Sequence, residues 1–223
     1  MPRSAAAPPP TSTPGGTQAN ARPLRRDAEL NLGRILTAAR DVFAQLGYDA
    51  SMEQIAARAD VGVGTLYRRF PKKKDLLGAV VDAAKEQTKT IAEEVLADVP
   101  SGDAVFEFVR RCVAVPSCWR ATITRPPWSV KNAGSALTEL APLIQDILER
   151  SQDAGTIRRD IALTDLVVTL VSVRAVADLC DARAPGSSRR FLELALDGLR
   201  PGNPTPAQPP MPTRKLGDVL AGR

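Results

Sequence analysis

The 223-residue chain is 43% hydrophobic, carries 30 Lys and Arg against 25 Asp and Glu, and has no histidine. Such a composition suits one globular unit of moderate size, or a small domain fused to a larger one. The missing histidine removes the usual general base, the usual metal ligand and every Ser-His or Cys-His nucleophile arrangement, so neither enzymatic activity, a metal site nor a cofactor is expected. The net charge of +5 is unevenly divided. Residues 22–76 hold eleven Lys and Arg against seven Asp and Glu, whereas residues 77–200 hold fifteen against seventeen. A positive field on the N-terminal third is where a polyanion would dock.

Twelve of the nineteen prolines lie near the ends, six within residues 1–24 and six within 201–223. The run Ala5-Ala6-Ala7-Pro8-Pro9-Pro10-Thr11-Ser12-Thr13-Pro14-Gly15-Gly16 has no large apolar side chain to bury. Residues 1–25 are therefore expected to be a disordered tail, and residues 201–223 likewise. No apolar h-region follows Arg3, so no secretory signal is expected. The most apolar stretch, Leu166 to Val173, is interrupted by Arg174 and is too short to span a bilayer. A cytoplasmic protein with no membrane partner is the expectation. Cys112, Cys118 and Cys180 form no CxxC pair and are expected to be reduced thiols.

In chain order, Ile35, Ala38, Ala39, Val42, Phe43 and Leu46 recur at three- and four-residue spacing. They predict an amphipathic helix over about residues 27–46, ended by Gly47 at its C′ position. Ser51, with Gln54 three positions on, fits a capping box that opens a second short helix through Ala59. Asp60-Val61-Gly62 then reads as a tight connection to a third helix over about residues 63–70, which Pro71 stops. Further helices are predicted at about 73–97, 102–115, 134–153, 163–183 and 187–199. Residues 116–133 mix Pro116, Pro126 and Pro127 with both tryptophans and receive no assignment. Without useful strand alternation, the predicted fold class is all-α. A three-helix N-terminal domain (residues 26–76) is expected to precede a larger helical domain (residues 77–200).

Two short helices joined by a turn containing glycine are the arrangement that presents a second helix to the DNA major groove. Ala56 is small enough for close helix approach, and Val61, Leu66, Ile55 and Phe70 can complete a miniature core with Val42 and Phe43. The outward face of the third helix would carry Gly62, Val63, Gly64, Thr65, Tyr67 and Arg68. Small residues at its start allow approach to base edges, Thr65 and Tyr67 offer hydroxyls to phosphates, and Arg68 reaches a guanine or a phosphate. Arg68, Arg69, Lys72, Lys73 and Lys74 place five cations within seven residues. Ser51 and these positions (62–65, 67–69, 72 and 73) are the candidate DNA-binding residues.

Across Ile35 to Leu77 the sequence resembles the TetR family of bacterial regulators. Ala39, Phe43, Gly47, Tyr48, Ser51, Ile55, Ala56, Ala59, Val61, Gly64, Thr65, Leu66, Tyr67, Phe70, Pro71, Lys73 and Leu76 follow that family's DNA-binding pattern. The resemblance implies that Thr65, Tyr67 and Lys73 grip phosphates, while residues 62–64 and Arg68 lie nearest the bases. Gly62 stands where the family commonly has serine or threonine, and Arg69 where an aromatic or histidine is common. Residues 77–200 resemble the family's regulatory region in kind: helical, variable and closing on two dimerising helices.

A single reading module contacts one half-site, so symmetric pairing is the common route to affinity and specificity. The helix near 163–183 is apolar on a wide face. Leu170, Val173 and Ala177, with Leu192 and Leu196 of the last helix, are the expected homodimer interface. Resemblance places an effector pocket among the central helices, with Phe106, Val109, Cys112, Trp119, Trp128, Leu137 and Leu140 as candidates. Arg174, inside an apolar run, is expected to pair with Asp178 one turn on. The function expected is a repressor that binds a pseudo-palindromic double-stranded operator as a homodimer and is released by a small-molecule effector. The alternatives are an activator or architectural DNA-binding protein without a ligand, and, more remotely, an enzyme with an incidental basic helix.

Overall fold

The computed structural model describes the backbone of residues 21–115, 127–180, 184 and 186–202, and the side chains of residues 30–115, 138–177, 184 and 186–202. Among these residues there are helices and no strand. The helices are α1 Ala21–Leu46, α2 Met52–Ala59, α3 Val63–Arg69, α4 Lys73–Asp98, α5 Ala104–Ala114, α6 Pro127–Asp153, α7 Leu163–Cys180 and α8 Ser187–Asp197. Short 3₁₀ turns at Gly47–Asp49 and Ser101–Asp103 lead into α2 and α5. The chain is all-α.

Helix α1 buries Ile35, Ala38, Ala39, Val42 and Phe43, the stripe expected from their spacing. It ends because Gly47 turns left-handed, with φ of 64°, a conformation that costs a side-chain-bearing residue about 1 kcal/mol or more. At its other end α1 begins at Ala21, inside the segment expected to be a tail. Ala21, Leu24, Arg25 and Arg26 are good helix formers, and Pro23 sits in the first turn, where its missing N–H breaks no helical bond. The rest of both predicted tails, residues 1–20 and 203–223, lies outside the described residues.

The helices enclose two hydrophobic cores. The first runs from Ile35 to Val81 and joins α1, α2, α3 and the N-terminal half of α4. The second runs from Ile91 to Leu199 and joins the C-terminal half of α4 with α5, α6, α7 and α8. Packing therefore changes hands between Val81 and Ile91, in mid-helix, and Leu77, Val80 and Val81 belong to the first core. The boundary expected after residue 76 falls inside α4, because an amphipathic stripe cannot show which partner it packs against. At 26 residues and 1.5 Å per residue, α4 is about 39 Å long, enough to serve both cores.

Helix α6 begins at Pro127, seven residues before the predicted start. Proline at the first helical position gives up only an N–H that would be unpaired there. Pro142 lies within the same helix, where it cannot donate to the carbonyl four residues back. Buried Ser151 ties α6 to the α4–α5 connection: its hydroxyl donates to the Ser101 carbonyl (2.9 Å) and accepts from the Val105 N–H (3.2 Å). Across the second core, Arg110 of α5 grips Glu193 of α8 through Nε (3.2 Å) and Nη2 (2.9 Å).

Candidate nucleic-acid interface

The reading unit is built from local interactions. Ser51 Oγ accepts from the Gln54 N–H (3.1 Å) and Gln54 Oε1 accepts from the Ser51 N–H (2.7 Å), so the capping box forms and fixes the start of α2. Asp60 ends α2 in the left-handed region, φ 53°, and its N–H donates to the carbonyls of Ala56 and Ala57. Its carboxylate pairs with Arg34 of α1 at 2.7 Å. Gly62 is extended and caps α3, offering its carbonyl to the N–H groups of Thr65 (2.9 Å) and Leu66 (3.1 Å). The α2–α3 turn is thus set by an aspartate in a conformation it tolerates better than most residues.

Helix α3 is held by one fully buried anchor, Leu66, with Phe70 packed behind it. Gly62, Val63, Gly64, Tyr67, Arg68 and Arg69 all stand exposed, and Thr65 is half-buried. Val63 is 38% and Tyr67 42% exposed, unusual for large apolar side chains with a core alongside. A methyl group added at Gly64 would meet nothing within 4 Å, and one at Gly62 only Thr65 Oγ1 at 3.8 Å. The fold does not require glycine at either position, so this face is smooth for reasons outside its own packing.

At the end of α3 and just beyond it, Arg68, Arg69, Lys72 and Lys74 form an exposed cationic rim. Lys73 differs: its Nζ donates to the Tyr48 carbonyl (2.8 Å) and lies 4.6 Å from the Tyr48 ring centroid. It braces the start of α4 against the turn after α1, with two of its ammonium donors remaining. The Lys72 N–H is taken by the Asp75 carboxylate at 3.2 Å, which places an acid in the first turn of α4. That acid occupies the N-terminus of α4, whose free N–H groups would otherwise attract a phosphate.

Glu53 joins these residues without having been legible in the sequence. It stands in the first turn of α2, and its Oε1 accepts a hydrogen bond from the Tyr67 hydroxyl at 3.2 Å. Its own backbone N–H, then the Ser51 side chain, with smaller help from Tyr67 and Lys73, hold its carboxyl below the usual carboxylate range. Partial desolvation, then the bond to Glu53 and its negative charge, push the Tyr67 hydroxyl up. An acid three residues before a helical Ala-Ala pair carries no sequence signal; only its approach to Tyr67 reveals it.

The proposed effector and interface residues divide differently. Phe106, Val109, Cys112 and Leu140 are packed in the second core, and Arg200 covers the Phe106 ring at 4.1 Å from its centroid. Burial pushes the Cys112 thiol up to about 12, with Arg174 pulling weakly the other way. The side chains of Trp119, Trp128 and Leu137 lie outside the described residues, as do those of Cys118, Cys180 and Asp178. Arg174 donates to the Val115 carbonyl just beyond the end of α5. Of the expected interface residues, Val173, Leu192 and Leu196 are 0, 7 and 1% exposed and are spent inside the chain's own core. Leu170 and Ala177 are half-buried. Among the described residues of the same two helices, the large apolar side chains left open are Val168 (48%), Phe191 (37%) and Leu194 (58%). Among the described residues no group of three His, Cys, Asp or Glu is placed to hold a metal ion, and no helix is long and apolar enough to cross a membrane.

Comparison with known proteins matches both halves. Residues 35–80 fit the model for bacterial regulatory proteins of the tetR family, and residues 100–201 fit a C-terminal domain described as transcriptional regulator SbtR-like. A TetR transcription regulatory protein from Mycobacterium vanbaalenii, known by its crystal structure, is 31% identical, with a TM-score of 0.60; the match covers 80% of this chain and 100% of that one. An HTH-type transcriptional regulator of Staphylococcus aureus is 43% identical over 82 residues, 35% of this chain and 42% of that protein. An HTH-type transcriptional repressor of Mycobacterium tuberculosis is 42% identical over 67 residues, 29% of this chain and 36% of that protein. The chain thus spans about two fifths of the length of these two curated relatives. A helix-turn-helix with an exposed second helix and a cationic rim, followed by a separate helical core and matched over 80% of this chain by the whole of a solved relative, identifies this chain as a member of the TetR family of transcriptional regulators.

Proposed function

We propose that this regulator is a repressor that binds a pseudo-palindromic operator as a homodimer and releases it when a small-molecule effector occupies the second helical core. The observation that carries DNA binding is the exposed face of α3, where Val63, Gly64, Tyr67 and Arg68 project from a helix anchored by Leu66. Arg68 is the candidate for base contact, since a guanidinium matches the paired acceptors of guanine. Arg69, Lys72 and Lys74 supply the phosphate field, and Ser51, Thr65, Tyr67 and Lys73 the directed phosphate contacts.

Dimerisation is supported by α7 and α8. Helix α7 is apolar on nearly all sides, the pattern of a helix buried all round, yet within one chain most of its side chains are only half-buried. Val168, Phe191 and Leu194 are the surface a second copy would cover. Release is supported by α4, which belongs to both cores and begins at the rim beside α3. Arg40 of α1 also reaches Gln87 of α4 (3.5 Å), so a shift of α4 is felt on both sides of the reading unit. A footprint on the DNA upstream of the chain's own gene tests the reading. Protection of two half-sites with centres about 34–36 Å apart is expected. A single protected half-site, or binding that never localises, overturns the dimeric operator reading.

A further inference from the structure

A DNA-binding surface is normally kept clear of carboxylates, because each one repels the phosphates it must meet. Here one stands in the middle. Glu53 is exposed at the start of α2, and Tyr67, the aromatic hydroxyl on the outward face of α3, donates to it at 3.2 Å. The residues around Glu53 are those assigned above to phosphate: the Ser51 side chain, the Tyr67 hydroxyl and the positive charge of Lys73 all favour its ionised form. A carboxylate offers the same anionic oxygens as a phosphodiester and accepts the same hydrogen bonds.

Resting on the DNA-binding reading, we propose that the Glu53 carboxylate is an internal stand-in for a DNA phosphate, holding the Tyr67 hydroxyl in the unbound protein and lowering the affinity of the whole interface. A backbone phosphate that approaches α3 must displace this carboxylate from Tyr67 before it can take the hydroxyl, and must then sit beside the displaced charge. The restraint is independent of base sequence, because phosphate contacts carry none. It weakens operator and random DNA alike and leaves discrimination to residues 62–64 and Arg68.

The test uses the full chain, a labelled mixed-sequence DNA duplex and anisotropy titrations at several salt concentrations. Glu53→Gln removes the charge and keeps the shape; Glu53→Ala removes the acceptor as well. Both should bind more tightly than wild type, by about fivefold at low salt, which is what one exposed charge–charge contact contributes in water. The slope of log K against log salt should steepen by up to about 0.9. In a Tyr67→Phe background the gain from Glu53→Ala should shrink, since the hydroxyl being released is absent. A second readout needs no DNA. The chain has two tyrosines, so in a Tyr48→Phe background the 295 nm absorbance titration reports Tyr67 alone, and Glu53→Gln should move it to lower pH. Unchanged or weaker binding of both variants, while the wild type binds with steep salt dependence, overturns the stand-in and leaves the DNA-binding reading intact. An undiminished gain in the Tyr67→Phe background, or an unmoved Tyr67 titration, also overturns it. Absence of salt-sensitive binding by the wild type removes the DNA-binding reading itself, and the stand-in with it.

Discussion

Leu194→Glu separates surface from core on the last helix. Leu194 is 58% exposed in the single chain, whereas Leu192, two residues earlier, is 7% exposed and packed in the second core. Full burial of a leucine side chain contributes roughly 2 kcal/mol, so covering the open part of Leu194 contributes about 1 kcal/mol per copy and about 2 per symmetric dimer. That alone corresponds to roughly thirtyfold in dimer dissociation constant, and a glutamate at the same place adds the cost of burying two unpaired charges. The weakening should therefore reach about three orders of magnitude. Sedimentation velocity across a concentration series reads it directly, with helicity and Tm of the monomer close to wild type. Leu192→Ala should do the reverse, costing about 2–5 kcal/mol of stability through a cavity. A Leu194→Glu protein that sediments as wild type would refute the assignment of this face, and one that unfolds would show that Leu194 belongs to the core.

Other expectations follow from particular contacts. Ser51→Ala removes the oxygen that accepts from the Gln54 N–H, so stability should fall by about 1 kcal/mol, read by urea denaturation. Gly62→Ser adds an N-cap hydroxyl to α3, its Cβ meeting only Thr65 Oγ1 at 3.8 Å, and should raise stability by a few tenths of a kcal/mol without disturbing the fold, as differential denaturation would show. Cys112, with its thiol pushed up to about 12, should resist alkylation at neutral pH in a Cys118→Ser/Cys180→Ser background and react only on unfolding. Its folded value lies above its unfolded one near 9, so its contribution is whole below about pH 9 and is lost as pH rises toward 12. A stability curve of that background with a flat profile between those limits would contradict this.

What was legible in the sequence was local or periodic. The Ser51–Gln54 box joins residues three apart, and the α1 stripe repeats with the helix, so both could be read directly. Tyr67–Glu53 and Lys73–Tyr48 join residues 14 and 25 positions apart across turns, where no spacing rule reaches. On helix α7 the direction each side chain faces was not legible, for a related reason. With apolar residues on all sides it has no preferred face, so α5 and α8, not the sequence of α7, decide that Val173 turns inward and Val168 outward. Arg174 shows the same limit: it donates to the Val115 carbonyl at the end of α5, 59 positions away, while the side chain of Asp178 lies outside the described residues.

The most direct test of DNA reading by α3 is equilibrium binding of wild type and Arg68→Ala to a footprinted operator duplex and to a scrambled duplex, over about 50–200 mM salt. Arg68→Ala should lose about 1–3 kcal/mol on the operator and much less on the scrambled sequence, narrowing the ratio between them. Equal losses on both duplexes would reduce Arg68 to a phosphate contact, and no loss on either would remove α3 from the interface.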